Sequence, residues 1–412
     1  MNERDFLTRI ANSGGTAYLV GGSVRDMLLH RSSADRDYVV CGLSAEDFVS
    51  LFPTTLCLSR VFPVFCVVVD DLFCQVALAR TERKTGSGYL GFEVSCTADI
   101  TIEQDLSRRD TTMNSIAWNP LTDELTDPFK GAEDIAAKVV RAVSPRFSED
   151  PVRALRAARQ AAQLGFSIEK ETLALMGACR EELRNEQQGM IIGETEKALT
   201  APRPSLYFRA LDDAGLLEVL FPWIYRLKGK IRTFSSHSDG DAFEHTMAVL
   251  DYVSMRTDRA EVKFAALVHD IGKSETPAER LPHHSVHDER GIAVLKEMRE
   301  ALGFRSVWYR CALFVIMRHN LPAKMSDAGK IVDLLAAIRK NPIGYDGFSL
   351  IVTADNHEEE PEFVLRLNDY LRVIEEADCE PFPPHLEGAE RSAWRRQREI
   401  SAVGNFLAGK ES

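Results

Sequence analysis

Asp35 and Asp37 stand two residues apart at the head of the apolar run Tyr38-Val39-Val40. On a strand, residues i and i+2 point to the same face, so both carboxylates would face one way. Paired carboxylates suit hard divalent cations, which take oxygen ligands. Just upstream, Leu19-Val20-Gly21-Gly22-Ser23-Val24-Arg25-Asp26 reads as strand, glycine turn and short helix. A glycine turn lets backbone N–H groups come close to a polyphosphate. An isolated Asp-x-Asp is usually a solvated loop, and an isolated Gly-Gly is usually only a turn. In this order, with apolar strands on both sides, the two suit metal-assisted transfer of a nucleotide.

A second set follows at Ser148-Glu149-Asp150-Pro151-Val152-Arg153-Ala154-Leu155-Arg156-Ala157-Ala158-Arg159. Pro151 fits the first turn of a helix, and Glu149 and Asp150 suit its positive end. Arg153, Arg156 and Arg159 recur every three residues as one basic stripe. Asp150 lies within reach of Arg153, and together they offer acceptors and donors in one plane, as reading a base edge requires. The bland alternative is an ordinary solvated helix face.

Histidines concentrate further on, with six of the ten between positions 245 and 319. His245, the adjacent His269-Asp270 and the distant Asp355 combine imidazole, which suits transition metals, with carboxylates that complete the shell and leave room for water. His284, His287 and His319 could be further ligands or phosphate binders.

These residues need two kinds of scaffold. Strand-like runs at Ala17–Val20, Tyr38–Cys41, Thr54–Leu58, Val64–Val69 and Leu72–Ala79, with a helix-like stretch at Leu43–Phe52, predict a small mixed α/β domain. From Asp150 the pattern is helical almost throughout, with breaks near 200 and 240. The 412 residues allow several domains. Apolar content of 45% and charged content of 27% are those of a soluble globular protein. No run approaches a membrane span, and the polar N-terminus is no signal peptide. The eight cysteines lack any C-x-x-C, and Cys41, Cys66, Cys74 and Cys96 fall in strand-like runs where buried thiols are expected. We read a reducing, cytoplasmic location. A net charge of −12 argues against a non-specific nucleic-acid binder. Local positive charge remains, in the stripe above, at Arg226, Lys228, Lys230 and Arg232, and at Arg391, Arg395, Arg396 and Arg398, where the tail either contacts RNA or packs on the body.

Gly21-Gly22-x-x-Arg25, Asp35-x-Asp37, Arg108-Arg109-Asp110-x-x-x-Asn114 and Glu149-Asp150-x-x-Arg153 occur in the order found in class II tRNA nucleotidyltransferases, the CCA-adding enzymes. Ala77-Leu78-Ala79-Arg80-Thr81-Glu82-Arg83-Lys84-Thr85-Gly86-Ser87-Gly88-Tyr89 and Val143-Ser144-Pro145 resemble the proteobacterial form that also carries an HD domain. The His…His-Asp…Asp pattern resembles HD-domain phosphohydrolases. The resemblance covers about residues 15 to 375. It implies an α+β fold: a polymerase-β-type nucleotidyltransferase head (1–140), an all-α neck and body with a nucleotide-selecting helix (141–225), an all-α HD domain (226–375) and a tail (376–412).

The same resemblance implies the roles. Asp35 and Asp37 would hold two Mg²⁺ ions. Gly22 and Arg25 would touch the triphosphate, and Arg109 would help hold the nucleotide. Asp150 and Arg153 would pair with the base of CTP or ATP, so that protein replaces a template, and Arg156 and Arg159 would contact the nucleotide. The loop Thr81–Tyr89 would help switch from C to A addition. His245, His269, Asp270 and Asp355 would hold a divalent transition metal, Ni²⁺ among the candidates, for 2′,3′-cyclic phosphodiesterase and phosphatase work, with His269 and Asp270 catalytic. The partners implied are the tRNA 3′ end, ATP and CTP, without membrane, in a monomer or homodimer. The chain departs from the family at Gln75, at Gly189-Met190 and at Ser115, which stands where the family usually has Ala. Gln75 replaces a carboxylate, for which Asp70 or Asp71 would have to substitute, and Gly189-Met190 replaces the Glu-Arg that supports the neck. The rivals are a specialised CC- or A-adding enzyme or poly(A) polymerase, and a phosphohydrolase whose weakened head only binds tRNA.

Overall fold

The computed structural model describes residues 1–32, 36–59, 63–86, 88, 91–231, 241–322, 325–378, 383 and 385–409. The chain divides into two units, one of Met1–Ala198 with Leu206–Leu220, the other of Leu199–Ser205 with Phe221–Ser412.

The first unit is built on a mixed sheet. Its strands are β1 (Thr16–Val20), β2 (Asp37–Cys41), β3 (Leu56–Ser59), β4 (Val64–Val69) and β5 (Leu72–Leu78). A separate hairpin of β6 (Thr81–Lys84) and β7 (Phe92–Ser95) follows, and β8 (Ala117–Asn119) and β9 (Glu124–Thr126) return to the sheet. The seven strands lie in the order β3-β4-β5-β2-β1-β8-β9. β1 runs antiparallel to β2 and β8, while β2 runs parallel to β5 with Asp37 opposite Gln75.

Alternation along β2 decides what each face does. Tyr38 points to a wall of aromatics, with Phe6 at 5.2 Å and the tilted pair Phe48 and Phe65 beyond. Asp37 and Val39 point the other way, where Val39 packs with Val20, Ile102, Leu106 and Ala117. Apolar burial on both faces of one strand therefore fixes the register, and a one-residue slip would send Asp37 into the aromatic core. Cys74 is buried as expected, whereas Cys41, Cys66 and Cys96 are only half-buried.

The helix Val152–Leu164 begins directly after Pro151 and stops at Gly165, whose φ of 71° suits a residue without Cβ. Its Ala154, Ala157, Ala158 and Ala161 are buried, so small side chains let neighbouring elements approach closely. Helix Gln188–Ala198 packs along it, held by Glu194, which takes Arg159 across the contact at 2.5 Å and Lys197 of its own helix at 3.1 Å. Thus Glu194 ties the helix Val152–Leu164 to the helix Gln188–Ala198 through Arg159.

Beyond its short Leu199–Ser205 segment, the second unit is helical. Asp241 caps helix Ala242–Ser254 by accepting from the Phe243 and Glu244 amides at 3.0 and 3.1 Å. Helices Ala260–Val268, His287–Leu302, Ser306–Arg318 and Gly344–Asp355 complete the part that carries the histidines. The tail forms helix Gly388–Leu407 and packs within this unit: Arg395 pairs with Asp378 and Glu399, and Arg396 with Asp333 at 2.8 Å. The cluster at 226–232 is likewise engaged locally where it is described, Arg226 with Glu275 at 3.0 Å and Lys230 with the Thr276 carbonyl at 2.6 Å. Arg232 lies outside the described residues.

Candidate active sites

Within the first unit a cavity of about 550 Å³ gathers most of the expected residues. Gly22, Arg25, Asp37 and Arg109 line it, and so do Asp150, Arg153, Arg156 and Arg159. Asp35 lies outside the described residues. Gly21, at a φ of 69°, turns β1 into helix Gly22–Leu28 and brings backbone to the cavity. Gln75 also lines it, opposite Asp37. Asp70 and Asp71 do not, which overturns the idea that one of them supplies the missing carboxylate. They form the β4–β5 turn at φ of 49° and 61°, and Asp70 is held by Arg36 at 3.1 Å and by the Glu3 amide at 3.2 Å.

Every arginine here has an acidic neighbour. Arg25 donates to Asp26 at 2.8 and 2.9 Å and to Asn114 at 3.1 Å, and Asn114 reaches Asp110 at 3.4 Å. Asp110 takes Gln160 at 3.1 Å and lies 3.5 Å from Arg156. Burial would raise the pKa of Asp110, but Arg156 and the Thr111 amide outweigh it and hold it below the usual carboxylate value. The fully buried Asp105 holds Arg108 and Arg109 at 2.7 and 3.0 Å. Arg153 lies 3.7 Å from both Asp150 and Glu82 and donates to the Arg146 carbonyl at 3.0 Å. Burial pushes the Asp150 carboxyl above its ordinary value in spite of Arg153 and Arg156. The stripe on helix Val152–Leu164 is therefore a paired array facing a cavity, not a solvated face.

In the second unit His245, His269, Asp270 and Asp355 converge. His245 and His269 approach Asp355 Oδ1 with Nε2 at 3.0 and 3.4 Å, and His269 Nε2 lies 3.4 Å from Asp270 Oδ2. The other oxygen of Asp270 faces a second pair, His287 and His319, each with Nε2 at 3.5 Å. Three rings are oriented by backbone. Nδ1 contacts a carbonyl oxygen at 2.7 Å in His269 (Ala266), 2.8 Å in His287 (His284) and 3.0 Å in His319 (Val315), which leaves Nε2 for a metal. His284 has both nitrogens engaged, by Thr276 and the Ile231 carbonyl, and takes no part. His269 Nε2 and Asp270 Oδ1 are buried without a hydrogen-bond partner among the described residues. Such orphaned atoms are costly unless a cation completes them. The donor set fits a divalent metal. Burial opposes protonation of His269, yet Asp270 and Asp355 push its pKa up to about 9. Lys273 also reaches Asp270, a second cation beside the same carboxylate.

Comparison with known proteins bears on the whole chain. Residues 17–141 match the Poly A polymerase head domain family, 165–227 the probable RNA- and SrmB-binding site of polymerase A, and 242–378 the HD domain. A protein of Methylococcus capsulatus named multifunctional CCA protein is 37% identical over 414 residues, covering 96% of both chains. One of the same name from Nitrosococcus oceani is 40% identical over 344 residues, covering 82% of this chain and 84% of the relative. This chain belongs to the multifunctional CCA protein family. The fold agrees with solved structures. The Thermotoga maritima CCA-adding enzyme complexed with tRNA has a TM-score of 0.64 at 20% identity, covering 99% of this chain and 94% of that one. The Bacillus stearothermophilus CCA-adding enzyme in complex with CTP gives 0.60 at 21%, covering 98% and 92%. The residues outside the expected site set that support it are Asp105, Glu82, Gln160 and Glu194. Only Asp105, three and four residues before Arg108 and Arg109, left a local signal. Among the described residues no helix is long and apolar enough to cross a membrane.

Proposed function

We propose that the chain adds C, C and A to the 3′ end of tRNA from CTP and ATP without a nucleic-acid template, and that its HD unit hydrolyses phosphoesters as a 2′,3′-cyclic phosphodiesterase and phosphatase. The observation that carries the first part is the meeting of Asp37, Arg25, Asp150 and Arg153 around one cavity. Gly22 and Arg25 receive the triphosphate, and Arg109 steadies the nucleotide. Asp35 and Asp37 would hold Mg²⁺, which would supply positive charge for activating the tRNA 3′-hydroxyl and offsetting charge on the leaving pyrophosphate. Arg156 and Arg159 line the nucleotide's remaining side.

Base choice follows from hydrogen-bond polarity. Cytosine and adenine both present an exocyclic amine beside a bare ring nitrogen, whereas uracil and guanine present a carbonyl beside an N–H. Asp150 accepts from the amine and Arg153 donates to the ring nitrogen. The wrong base leaves two buried charged groups unpaired, at about 1–3 kcal/mol or more for each.

In the HD unit, His245, His269, Asp270 and Asp355 hold one divalent ion, Ni²⁺ among the candidates, and Asp270 with His287 and His319 offers donors for a second. An ion held by these residues would supply Lewis-acid charge for phosphoester hydrolysis. The chain's own part is to fix Nε2 of His269, His287 and His319 through their Nδ1–carbonyl contacts and to keep Lys273 beside Asp270. We assign 1–140 to the head, 141–225 to neck and body, 226–375 to the HD domain and 376–412 to the tail, in a cytoplasmic monomer or homodimer.

Incubating the full chain with a tRNA transcript lacking CCA, CTP, ATP and Mg²⁺, read at single-nucleotide resolution, tests this. Three added nucleotides are expected. A stop after CC, or A addition alone, would make Gln75 the mark of a specialised enzyme, and no addition would leave the HD chemistry as the function.

A further inference from the structure

Beyond Gln75 the cavity side of the sheet changes character. Asp37 pairs with Gln75 on β5, Gln75 with Cys66 on β4, and Cys66 with Leu56 on β3. Directly paired residues point to one face, so this row runs from the site to the open edge of the sheet at β3. Two residues before Gln75, and so on the same face, stands Phe73, paired with Val68 of β4. Phe73 is 79% exposed, Leu56 66% and Val68 43%. An uncharged, apolar strip thus begins about 7 Å along the strand from Gln75. Exposed apolar surface that is contiguous rather than scattered marks a place where something binds.

What lies on each side of Asp37 decides what the strip meets. In the sheet, β1 and β8 lie to one side of β2, and β5, β4 and β3 to the other. The groups assigned to the incoming nucleotide, Gly22, Arg25 and Arg109, belong to the helix after β1 and to the segment leading into β8. Transfer of a nucleotide needs the attacking hydroxyl in line with, and opposite to, the departing pyrophosphate. With the triphosphate on the β1 side, the strand that carries the hydroxyl enters over β5 and β4. The paired residues Val64 of β4 and Ala77 of β5 line the cavity, so the strip is continuous with it.

We propose that Phe73, flanked by Val68 and Leu56, seats the last unpaired base of the RNA that receives the nucleotide. The proposal rests on the reading of the cavity as the site of addition from CTP and ATP. The occupant is the face of a base and not a phosphate: the strip carries no charge, and the adjoining turn presents the exposed carboxylate of Asp71, which repels an RNA backbone. An apolar plate also suits the task. The terminal base changes as the end grows, and stacking tolerates any base because each has a π-face. The incoming base must be read, whereas the end that receives it needs only to be held in place.

The test uses the full chain and a tRNA transcript lacking CCA, with C addition measured against transcript and against CTP. Wild type comes first: if it adds no nucleotide, the reading of the cavity fails and the proposal falls with it. If it does add, Phe73→Ala should raise KM for the transcript about five- to thirtyfold and leave KM for CTP within about twofold. Phe73→Tyr keeps the ring and should restore wild-type values. Because Phe73 is exposed, the Tm of each variant should match wild type. The loss should recur on transcripts ending in C and in CC, and its size should not change with salt, since no ion pair is removed. A 2-aminopurine at the last position of the transcript should be quenched on binding wild type and stay bright on Phe73→Ala. A transcript KM within about twofold of wild type, a loss confined to one of the three ends, or a probe equally bright on both proteins would overturn the proposal. So would a fall in kcat with both KM values unchanged, which would make Phe73 merely structural. A dimer in sedimentation that Phe73→Ala dissociates, with the transcript KM unaltered, would give the strip to a second copy of the chain and overturn the proposal equally.

Discussion

Replacing Asp105 by Asn tests whether the arginines of the cavity depend on one buried carboxylate. Asp105 has no exposed surface. It accepts from Arg108 at 2.7 and 3.0 Å, from Arg109 at 3.0 and 3.3 Å, and from the Arg80 amide at 3.3 Å. Asn fills the same volume but removes the charge and turns one acceptor into a donor that faces a guanidinium. Leaving a buried charge without its partner costs about 3–5 kcal/mol. Arg108 keeps Glu82 at 2.9 Å, so the lower figure, about 3 kcal/mol, applies. For a unit of this size that is a fall in Tm of about 6–12 °C. The pH dependence has a definite sign. Burial would raise the pKa of Asp105, but Arg108 and Arg109 outweigh it and hold it below the ordinary value. A depressed carboxylate stabilises the fold fully above its unfolded pKa of about 3.9, and the benefit is lost as pH falls through the folded value. The gap between wild type and variant should be complete at neutral pH and should close in acid. Thermal unfolding by circular dichroism measures it, and the transition of the second unit, which does not contain Asp105, serves as the internal control. A neutral-pH Tm within about 2 °C of wild type, or a gap that widens on acidification, would refute the reasoning.

Four further outcomes are expected. Asp35→Ala with Asp37→Ala should abolish nucleotide addition while hydrolysis of a 2′,3′-cyclic nucleotide persists; retained addition in a gel assay would refute the head assignment. Gly272→Ala should do the reverse. A Cβ there would meet the His287 carbonyl oxygen at 1.9 Å and the Gly291 nitrogen at 2.5 Å. Pushing that backbone apart displaces His287, so hydrolysis and the Tm of the second unit should fall while addition continues. Because burial raises the Asp150 carboxyl, discrimination between CTP and UTP should decline on acidification at a pH above the ordinary carboxylate value, as Asp150 becomes neutral and can no longer accept; a flat ratio across that range would contradict its role. Calorimetric titration of the Asp35→Ala, Asp37→Ala chain with Ni²⁺ should show two ions per chain, and His319→Ala should leave one; a single ion before that change would remove the second set of donors.

What could be read in the sequence was the chemistry packed into short motifs. Gly21-Gly22, Arg25, Asp37, Asp150 and Arg153 each carry their signal within a turn or two of chain, and all line one cavity. Asp35 could not be compared, because it lies outside the described residues. The supporting carboxylates were hidden because their partners are chosen by closure of the fold. Glu82 meets Arg108 across 26 positions and Arg159 meets Glu194 across 35. Asp70 misled for the same reason: two residues after Val68 it already belongs to a turn, where Arg36 holds it. Among the histidines, spacing could not separate His284 from His287. That depends on which ring nitrogen meets a carbonyl, and so on the local path of the backbone. The arginine tail was ambiguous because its acidic partners, Asp333 and Asp378, belong to other helices.

The segment Leu199–Ser205 counts with the second unit although residues 206–220 return to the first. It carries structural duty there. Its Leu199 carbonyl accepts from the buried Lys263 at 2.9 Å, and Asp251 takes the Ser205 amide and hydroxyl at 3.0 and 2.6 Å. A fragment starting after residue 205 would keep Lys263 but strip its acceptor, leaving an ammonium group enclosed and unmatched. A stop codon before the HD histidines would leave Leu199 and Ser205 without the groups that hold them. The two activities are therefore not beads that a single break in the gene could separate. Recombination that transplanted the HD unit would have to carry two stretches of chain, which favours inheriting both activities together.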